Sequence, residues 1–591
     1  EPATASFASA LGANYTYATT LTGLTLGKAG NLTDVTLNSA VAITGPIVVY
    51  SPHITVNQAL TSSGAGLTLN GQSTLNGGSV STTGAQSYSG AVTLGADTTL
   101  TAPSVTFGAA VSGTSLSVVG ATTLNGGSVS TTGAQSYSGA VTLGTDTTLT
   151  APSVTFGAAV SGTSLSVVGA TTMNGSTITT TGTQSYSGAV TLGADTTLAS
   201  TNTVAANAGI TLSSTVDSAD STTPRALTIN SVGATILGGA VGNTYPLSNV
   251  TTNTGGTLAI NGGIIKTTGA QSYGELATLG NNTVLQGVNV AFASTIDSVS
   301  TTPYSLTISD SGTTVLSGSV GALHALNNLT TDSATTAAGE TQIKGAQIIT
   351  AGNAVFYDVV KVFHDVQLQT SGDLKFMQTL NADTAGIRTV ELDAGTLGNI
   401  VVQGAIGGDA SLKTLQVVNS NTATFTGAVI TGTSVVLTDT VDAHAIAFNG
   451  GLTTPTLTVA AEPFALTLRG TLNVSNGINL ANTGALQLNG TFTTNNQAIT
   501  VGQAGQTATL LANTSFDSGT ATTTVNGNLS GAAYTLGFVS PVNFSGASTC
   551  SNSASSKVAP TKPCSPGCTP VPKLASDTGV VVGNVASMDA S

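Results

Sequence analysis

The chain has 591 residues, yet its composition differs from that of ordinary globular domains. Only 6% of the residues are charged, against about a quarter in typical domains, and tryptophan is absent, so a large aromatic core is excluded. The net charge of −13, with no Lys or Arg between Lys28 and Arg225, argues against nucleic-acid binding, which needs clustered cations.

Residues 1–80 are predicted to form the first turns of an all-β structure. The hydrophobic fraction is 40%, too high for disorder, and the abundant Val, Ile and Thr are β-branched residues that favour strands. The longest apolar runs, such as Pro46–Tyr50, are far shorter than the roughly 20 residues that span a bilayer, so no membrane insertion is expected. The chain begins at Glu1 without a basic and apolar leader, so a secretion signal is expected to lie outside this sequence.

Residues 81–350 contain block repeats. Residues 82–130 are repeated over 49 residues, with six differences, by residues 131–179. The tyrosines that mark successive copies are Tyr88, Tyr137, Tyr186 and Tyr273. A second module, Thr215-Val-Asp-Ser, returns as Thr295-Ile-Asp-Ser. A degenerate return of the first module is predicted at Gly345-Ala346-Gln347.

The strand pattern within each block predicts a parallel β-solenoid. Apolar residues alternate over short segments, as at Val92 and Leu94, and Gly, Asn and Asp separate the segments as corner residues do. Variable spacing between copies indicates that whole blocks can be added, which stacked turns tolerate. The expected turn is about 20 to 24 residues. Because Asn-Gly is also a hairpin signal, tandem antiparallel sandwiches remain the alternative.

Residues 351–540 are predicted to continue the solenoid in degenerate form. Charged and aromatic residues concentrate between Ala354 and Asp393, and His364 with Asp365 could belong to a ligand-facing patch or a metal site. The alternative is a stretch of solenoid whose charges face water. One histidine without spaced partners does not make a metal site, which favours the second interpretation.

Residues 541–591 have the composition of a tail rich in Pro, Ser and Cys. The chain's three cysteines all lie here, at Cys550, Cys564 and Cys568. Their placement suits an oxidising compartment, because one pair can close a small loop while the third thiol is left over.

The repeated segment GAQSYSGAVTLGADTTLTA, the TVDS and TIDS modules and Gly23-Leu-Thr-Leu-Gly-Lys-Ala-Gly30 resemble filamentous-haemagglutinin-type β-strand repeat proteins. The resemblance covers about residues 15–350. It implies a right-handed parallel β-helix, two-partner secretion through an outer-membrane transporter pore, an extracellular location at the bacterial cell surface, and a role in adhesion, aggregation or biofilm. It implies no catalytic residues and no cofactor. Cys564-Ser-Pro-Gly-Cys568 resembles the loop that holds some such proteins in their pore, or is a flexible end with an incidental disulfide.

Three functional hypotheses follow. The first is an adhesive fibre that contacts surface glycans or neighbouring copies of itself, and the second is a surface-layer or sheath subunit that assembles into a lattice. An ice- or surface-binding solenoid is a weaker third, because Thr98-Thr99 and Thr122-Thr123 are not expected to align at one-turn spacing. An enzyme is not expected, since the duplicated blocks offer only Asp97 and Asp146 as charged residues and no P-loop or HExxH sequence occurs.

Overall fold

In the computed structural model, residues 19–333, 339–531 and 534–544 are described, together with the strand Gly583–Asn584. The chain divides into two compact units, Glu1–Val288 and Asn289–Ser591. Each unit is a parallel β-solenoid, and the described residues form about 26 turns in all. The predicted fold class is confirmed. The predicted Pro- and Cys-containing tail lies outside the described residues from residue 545, apart from Gly583–Asn584.

The first unit is built from short strands that alternate inward and outward side chains, as the sequence predicts. Its strands are Leu24–Leu26, Val35–Leu37, Val41–Ile43, Ile47–Val56, Leu60–Ser62, Leu67–Leu75, Ser79–Thr82, Gln86–Tyr88, Val92–Leu94, Thr98–Phe107, Val111–Gly113, Leu116–Leu124, Ser128–Thr131, Gln135–Tyr137, Val141–Leu143, Thr147–Phe156, Val160–Gly162, Leu165–Met173, Thr177–Thr180, Gln184–Tyr186, Val190–Leu192, Thr196–Ser200, Ile210–Leu212, Val216–Ser218, Leu227–Asn230, Ala234–Leu237, Val250–Thr252, Thr257–Ile260, Ile264–Lys266, Gln271–Tyr273, Leu276–Leu279 and Thr283–Gly287.

The second unit follows the same construction. Its strands are Val290–Phe292, Ile296–Ser298, Leu306–Asp310, Thr313–Leu316, Leu329–Thr331, Glu340–Ile343, Gln347–Thr350, Ala354–Phe356, Val359–Val362, Val366–Thr370, Leu374–Phe376, Leu380–Ala382, Thr389–Asp393, Asn399–Val402, Leu412–Asn419, Thr422–Phe425, Val429–Leu437, Ala445–Phe448, Leu452–Thr454, Thr456–Val459, Ala465–Val474, Ile478–Asn479, Leu486–Thr493, Ile499–Val501, Thr507–Asp517, Thr523–Val525, Asn528–Ser530, Thr535–Phe538, Val542–Phe544 and Gly583–Asn584.

Within each unit the strands pair with the turn before and the turn after. The pairings are parallel, except for the short antiparallel contact of Thr535–Phe538 with Gly583–Asn584. Tandem antiparallel sandwiches are therefore excluded for the described residues. The single helical segment in this part of the chain, the 3-10 turn Ala205–Asn207, is far too short to span a bilayer.

A turn in the block repeats is slightly shorter than the sequence predicts. Gln86 pairs with Val105 and Leu100 pairs with Val118, and both intervals fall below the lower end of the expected range. The reason is that the strands are only three or four residues long on each of three faces, with tight corners between them. Longer turns occur where the second module is inserted, since Thr196 pairs with the distant Leu227.

The three faces of the first unit are defined by consecutive strands. The first face contains Gln86–Tyr88, the second contains Val92–Leu94, and the third contains residues 98–101, the first half of Thr98–Phe107. The second half of that strand returns to the first face, because Val105 pairs with Gln86. Side chains at the inward positions of all three faces form the core, where Tyr88 stacks on Phe107 with ring centroids 5.4 Å apart.

The 49-residue block is not a whole number of turns. From Gln86–Tyr88 to Gln135–Tyr137 the chain advances eight strand positions, which is two and two-thirds turns. Tyr88 therefore lies on the first face, Tyr137 on the third and Tyr186 on the second. Sequence-equivalent residues do not stack on one another, because each block copy is turned by one face relative to the copy before it.

Candidate functional site

The exposed faces of the first unit carry aligned columns of hydroxyl groups. One column lies on each face and follows the strand pairing over seven successive turns. Every member is an outward, half-buried or exposed residue. The first-face column is Thr68, Ser87, Thr106, Thr123, Thr142, Ser161 and Thr179. The second-face column is Thr36, Thr55, Thr74, Thr93, Ser112, Ser130 and Thr150. The third-face column is Ser79, Thr99, Ser117, Ser136, Thr155, Thr172 and Thr191.

These hydroxyl columns overturn part of one sequence-based expectation. Thr99 and Thr123 do align with hydroxyl residues one turn away, whereas Thr98 and Thr122 point inward and are buried. The expectation failed because alignment depends on the local turn length, which the sequence does not state. Paired strands place such residues about 4.8 Å apart. Each column is thus an uncharged row of groups that both donate and accept hydrogen bonds.

A buried polar corner recurs at every marker tyrosine. At the first copy, the Gln86 amide nitrogen lies 3.1 Å from the Val80 oxygen, 3.3 Å from Thr82 Oγ1 and 3.1 Å from the Thr101 oxygen. The Tyr88 hydroxyl donates to Gln86 Oε1 at 2.9 Å. Burial raises the pKa of the tyrosine hydroxyl at all four copies. The arrangement satisfies buried polar groups and is structural, since none of them faces solvent.

The corner returns in degenerate form at Thr350–Phe356, not at Gln347. Thr350 Oγ1 donates to the Gly352 oxygen at 3.0 Å, as Thr82 does to Gly84, while Ala354 and Phe356 occupy the glutamine and tyrosine positions. Gln347 instead points outward, 3.3 Å from Gln367 Oε1. The glutamine amide and the tyrosine hydroxyl are lost together, so neither leaves a buried partner unsatisfied.

The charged segment Ala354–Asp393 contains three ion pairs beside an apolar interior. Arg388 Nε lies 2.6 Å from Asp383 Oδ1, and Lys361 Nζ lies 3.2 Å from Glu340 Oε2, with all four side chains partly exposed. The remaining close pair is Lys375 Nζ with Asp373 Oδ2, at 2.6 Å. The aromatic members Phe356 and Phe376 are buried and stack at 5.0 Å.

The two residues proposed as metal ligands do not converge. His364 Nδ1 contacts the Asp365 backbone oxygen at 2.8 Å, while Asp365 Oδ1 accepts a hydrogen bond from the Thr389 amide. No group of three His, Cys, Asp or Glu side chains with metal-binding geometry occurs among the residues that the structure describes. The three cysteines, Cys550, Cys564 and Cys568, lie outside those residues.

Sequence reasoning missed a buried stack of three aspartates in the second unit. Asp310, Asp332 and Asp358 lie at one corner of three successive turns, since Ile308 pairs with Thr331 and Thr331 pairs with Phe356. Their relative exposures are 2%, 2% and 0%. The sequence did contain a signal for this stack. An aspartate occurs one or two positions after an inward strand residue, and it recurs twice at a spacing close to the length of one turn.

Comparisons of this chain with protein-family models, with curated proteins and with solved structures found no match.

Proposed function

We propose that this chain is the extracellular, adhesive section of a bacterial surface fibre that mediates attachment, aggregation or biofilm formation. The observation that carries the proposal is the set of three hydroxyl columns, each seven turns long, on the exposed faces of the first unit. Hydroxyl groups in a rigid row can bind the hydroxyl groups of surface glycans or of a neighbouring copy through repeated hydrogen bonds. Many weak contacts in one row add up to strong attachment because the later contacts form intramolecularly.

The block repeat supports this proposal by multiplying the binding rows. Each copy is turned by one face, so nearly identical outward residues are presented in three directions around the first unit. The scarcity of charged residues supports it too. Although the whole chain has a net charge of −13, the duplicated blocks carry only Asp97 and Asp146, so little charge beside the hydroxyl rows opposes the approach of a surface or of a second copy.

Isosteric substitution of one column tests the adhesive role. Thr106→Val, Thr123→Val and Thr142→Val combined remove three hydroxyl groups from the first-face column and retain β-branched shape. We expect beads coated with this variant to lose most of their attachment to bacterial surface glycans and to each other. The matched control replaces the same residues by Ser, which keeps the hydroxyl groups and should keep attachment. Equal attachment by the Val and Ser variants would contradict the proposal.

Export by two-partner secretion, through an outer-membrane transporter pore, belongs to the same proposal. It rests on the family resemblance of the repeats and on the cysteine pair of the tail. Replacement of Cys564 and Cys568 by Ser should release the protein from cells into the medium if their loop retains it in the pore. Immunoblots of cells and medium measure this, and Cys550→Ser is the matched control.

A surface-layer or sheath subunit is the second candidate, since the same rows would also serve contacts between copies in a lattice. Electron microscopy of cells separates the two roles, because a periodic array supports the lattice and isolated fibrils support the adhesive fibre. The hydroxyl columns also favour an ice- or surface-binding solenoid more than the sequence did. Thermal hysteresis of the purified protein, abolished in the Val variant, would support that role.

A further inference from the structure

The aspartate stack of the second unit contains two buried oxygens that have no hydrogen-bond donor. Asp310 is satisfied, because its carboxylate accepts bonds from the Val290 amide at 3.0 Å and from Thr314 Oγ1 at 3.1 Å. Asp332 Oδ1 accepts from the Asp310 amide at 2.9 Å, and Asp358 Oδ2 accepts from Thr341 Oγ1 at 3.1 Å. Among the described residues, Asp332 Oδ2 and Asp358 Oδ1 have no hydrogen-bond partner.

Asp332 and Asp358 lie at the same corner of adjacent turns, because Thr331 pairs with Phe356, and the interaction with Asp358 contributes to the raised pKa of Asp332. Two ionised carboxylates are both acceptors, so the contact needs a proton between them. A corner of the first unit contains stacked asparagines in place of stacked aspartates. There the Asn57 amide nitrogen donates to Asn38 Oδ1 at 2.6 Å and the Asn76 amide nitrogen donates to Asn57 Oδ1 at 2.7 Å. Asparagine supplies both donor and acceptor, whereas aspartate supplies a donor only when it is protonated.

Among the residues that the structure describes, each lysine on the strands packed against the pair already has a carboxylate partner. The charged groups there are Asp310, from the preceding turn, Glu340 with Lys361, which pair with each other, and Asp373 with Lys375, which pair at the strand next to Ala354–Phe356. Burial, the contact with Asp358, and the negative charges of Asp358 and Asp310 raise the pKa of Asp332 to about 8. The raised pKa of Asp332 therefore agrees with the placement of two carboxyl groups at one buried corner.

We infer that Asp332 and Asp358 share one proton in the interior of the second unit, and that this corner is a pH-sensitive switch that holds three successive turns together until alkaline pH removes the proton. When the proton leaves to solvent, two adjacent buried anions remain and repel each other. The inference concerns stability of the turns and does not depend on the proposed adhesive function.

The shared proton determines whether stability rises or falls with pH. A carboxyl group with a raised pKa in the folded state binds its proton more tightly than the unfolded chain does. Its contribution to stability is complete below the ordinary aspartate pKa of about 4 and is lost as the pH rises through about 8. For one proton, the equilibrium constant for opening of these turns rises at most about tenfold per pH unit.

Hydrogen–deuterium exchange on the full chain tests this inference. The Glu275→Gln background removes the buried carboxyl group of the first unit, and rates are corrected for intrinsic exchange. We expect peptides that cover Leu306–Asp310, Leu329–Thr331 and Ala354–Phe356 to open more than tenfold more often at about pH 9 than at about pH 6. Peptides that cover Asn57 and Asn76 should show no such rise.

Asparagine variants supply the decisive comparison. Asp332→Asn or Asp358→Asn places a permanent donor in the contact and should abolish the alkaline rise, and the double variant should add nothing further. A rise in Asp332→Asn equal to that of the parent would overturn the inference. Restored protection of the parent protein by added Ca²⁺ at alkaline pH would overturn it as well, because a cation would then occupy the place of the proton.

A measurement that needs no variant at these positions covers the case in which they fail to fold. Infrared spectra of the Glu275→Gln protein in D₂O at neutral pH should contain the carbonyl band of a protonated carboxylic acid, and the band should disappear at alkaline pH. Absence of the band at neutral pH would show that both aspartates are ionised and would refute proton sharing.

Discussion

At the scale of single residues, the polar corner explains why glutamine and tyrosine occur together in each block. Gln135 contacts three oxygens, at 3.0, 3.2 and 3.0 Å, and accepts a hydrogen bond from the Tyr137 hydroxyl at 3.1 Å. Loss of the glutamine alone would leave that hydroxyl group in the core without a hydrogen-bond acceptor. Loss of both residues, as at Ala354 and Phe356, leaves no tyrosine hydroxyl to satisfy.

A double-mutant cycle tests this coupling. Gln135→Ala should destabilise the protein by about 1 to 3 kcal/mol through the unsatisfied hydroxyl, in addition to the volume that it removes. Gln135→Ala with Tyr137→Phe should cost less than the sum of the two single variants. Denaturant unfolding of the four proteins measures the interaction energy. Strict additivity would show that the two side chains act independently.

A buried glutamate predicts pH-dependent stability in the first unit. Glu275 is 1% exposed, and its Oε1 accepts a hydrogen bond from Thr235 Oγ1 at 3.1 Å. Burial raises its pKa to about 7. Because the folded pKa is raised, the stabilising contribution is present below the ordinary glutamate pKa of about 4.3 and is lost as the pH rises through about 7.

Glu275→Gln should therefore reduce the pH dependence of the melting temperature between about pH 5 and pH 8, and the part that comes from Asp332 should remain. The control is Glu391→Gln, which changes a half-exposed, outward carboxylate and should leave the dependence as it is. Thermal unfolding followed by circular dichroism gives the melting temperatures. If both variants retain the parent's slope, the buried glutamate is not its source.

At the scale of strands, the corner inside the nine-residue strand Leu116–Leu124 depends on glycine. The strand Leu116–Leu124 bends at Gly120, which has a φ of +122° and lies against the carbonyl oxygen of Ala102 in the preceding turn. A Cβ at this position would overlap that oxygen. Gly169 has the same conformation and the same neighbour, Ala151, in the next block.

Gly120→Ala should thus destabilise the first unit by more than the roughly 1 to 3 kcal/mol that a strained backbone conformation costs. Gly255→Ala is the matched control, because Gly255 also has a positive φ, of +98°, but has open space where the Cβ would lie. Thermal unfolding of both variants compares a position where the added Cβ overlaps a neighbouring atom and the backbone is strained with a position where only the backbone is strained. Equal losses would mean that the close approach of the two turns is not limiting.

At the scale of the molecule, the three faces of the first unit are interchangeable. A block that advances two and two-thirds turns can be duplicated only if every face accepts the strands of the others. This holds because all three faces present the same alternation of inward core residues and outward hydroxyl residues, as the same Gln-Ser-Tyr strand shows on each of them. Stability then depends on contacts between neighbouring turns, which the block carries with it.

Deletion of residues 131–179 tests interchangeability. The deletion joins Ser130 to Thr180, restores the corner sequence Ser-Thr-Thr-Gly, and removes eight strand positions, which is two and two-thirds turns. We expect a folded protein with an unchanged melting temperature, measured by circular dichroism. Deletion of residues 131–180 is the control, because it shortens one corner by a residue and should lower the melting temperature. Failure of the shorter deletion to fold would show that the faces are not equivalent.

The all-β class, the strands, the inward and outward faces and the stacked architecture could all be predicted from the sequence. These features are local, because alternation of apolar and polar residues with period two specifies a half-buried strand wherever it occurs. The duplicated blocks then required a fold that can be lengthened by further turns, and a parallel solenoid is such a fold.

The contacts between residues of neighbouring turns could not be predicted from the sequence. Turns differ in length, from the short one that joins Leu100 to Val118 to the long one that joins Thr196 to Leu227, so the partner of a given strand depends on corner lengths that no single segment specifies. The hydroxyl columns, the rotation of the tyrosine corner around three faces and the stack of buried aspartates all depend on this register. The physical reason is that contacts between turns join residues far apart in sequence, while the patterns readable in the sequence extend over only a few.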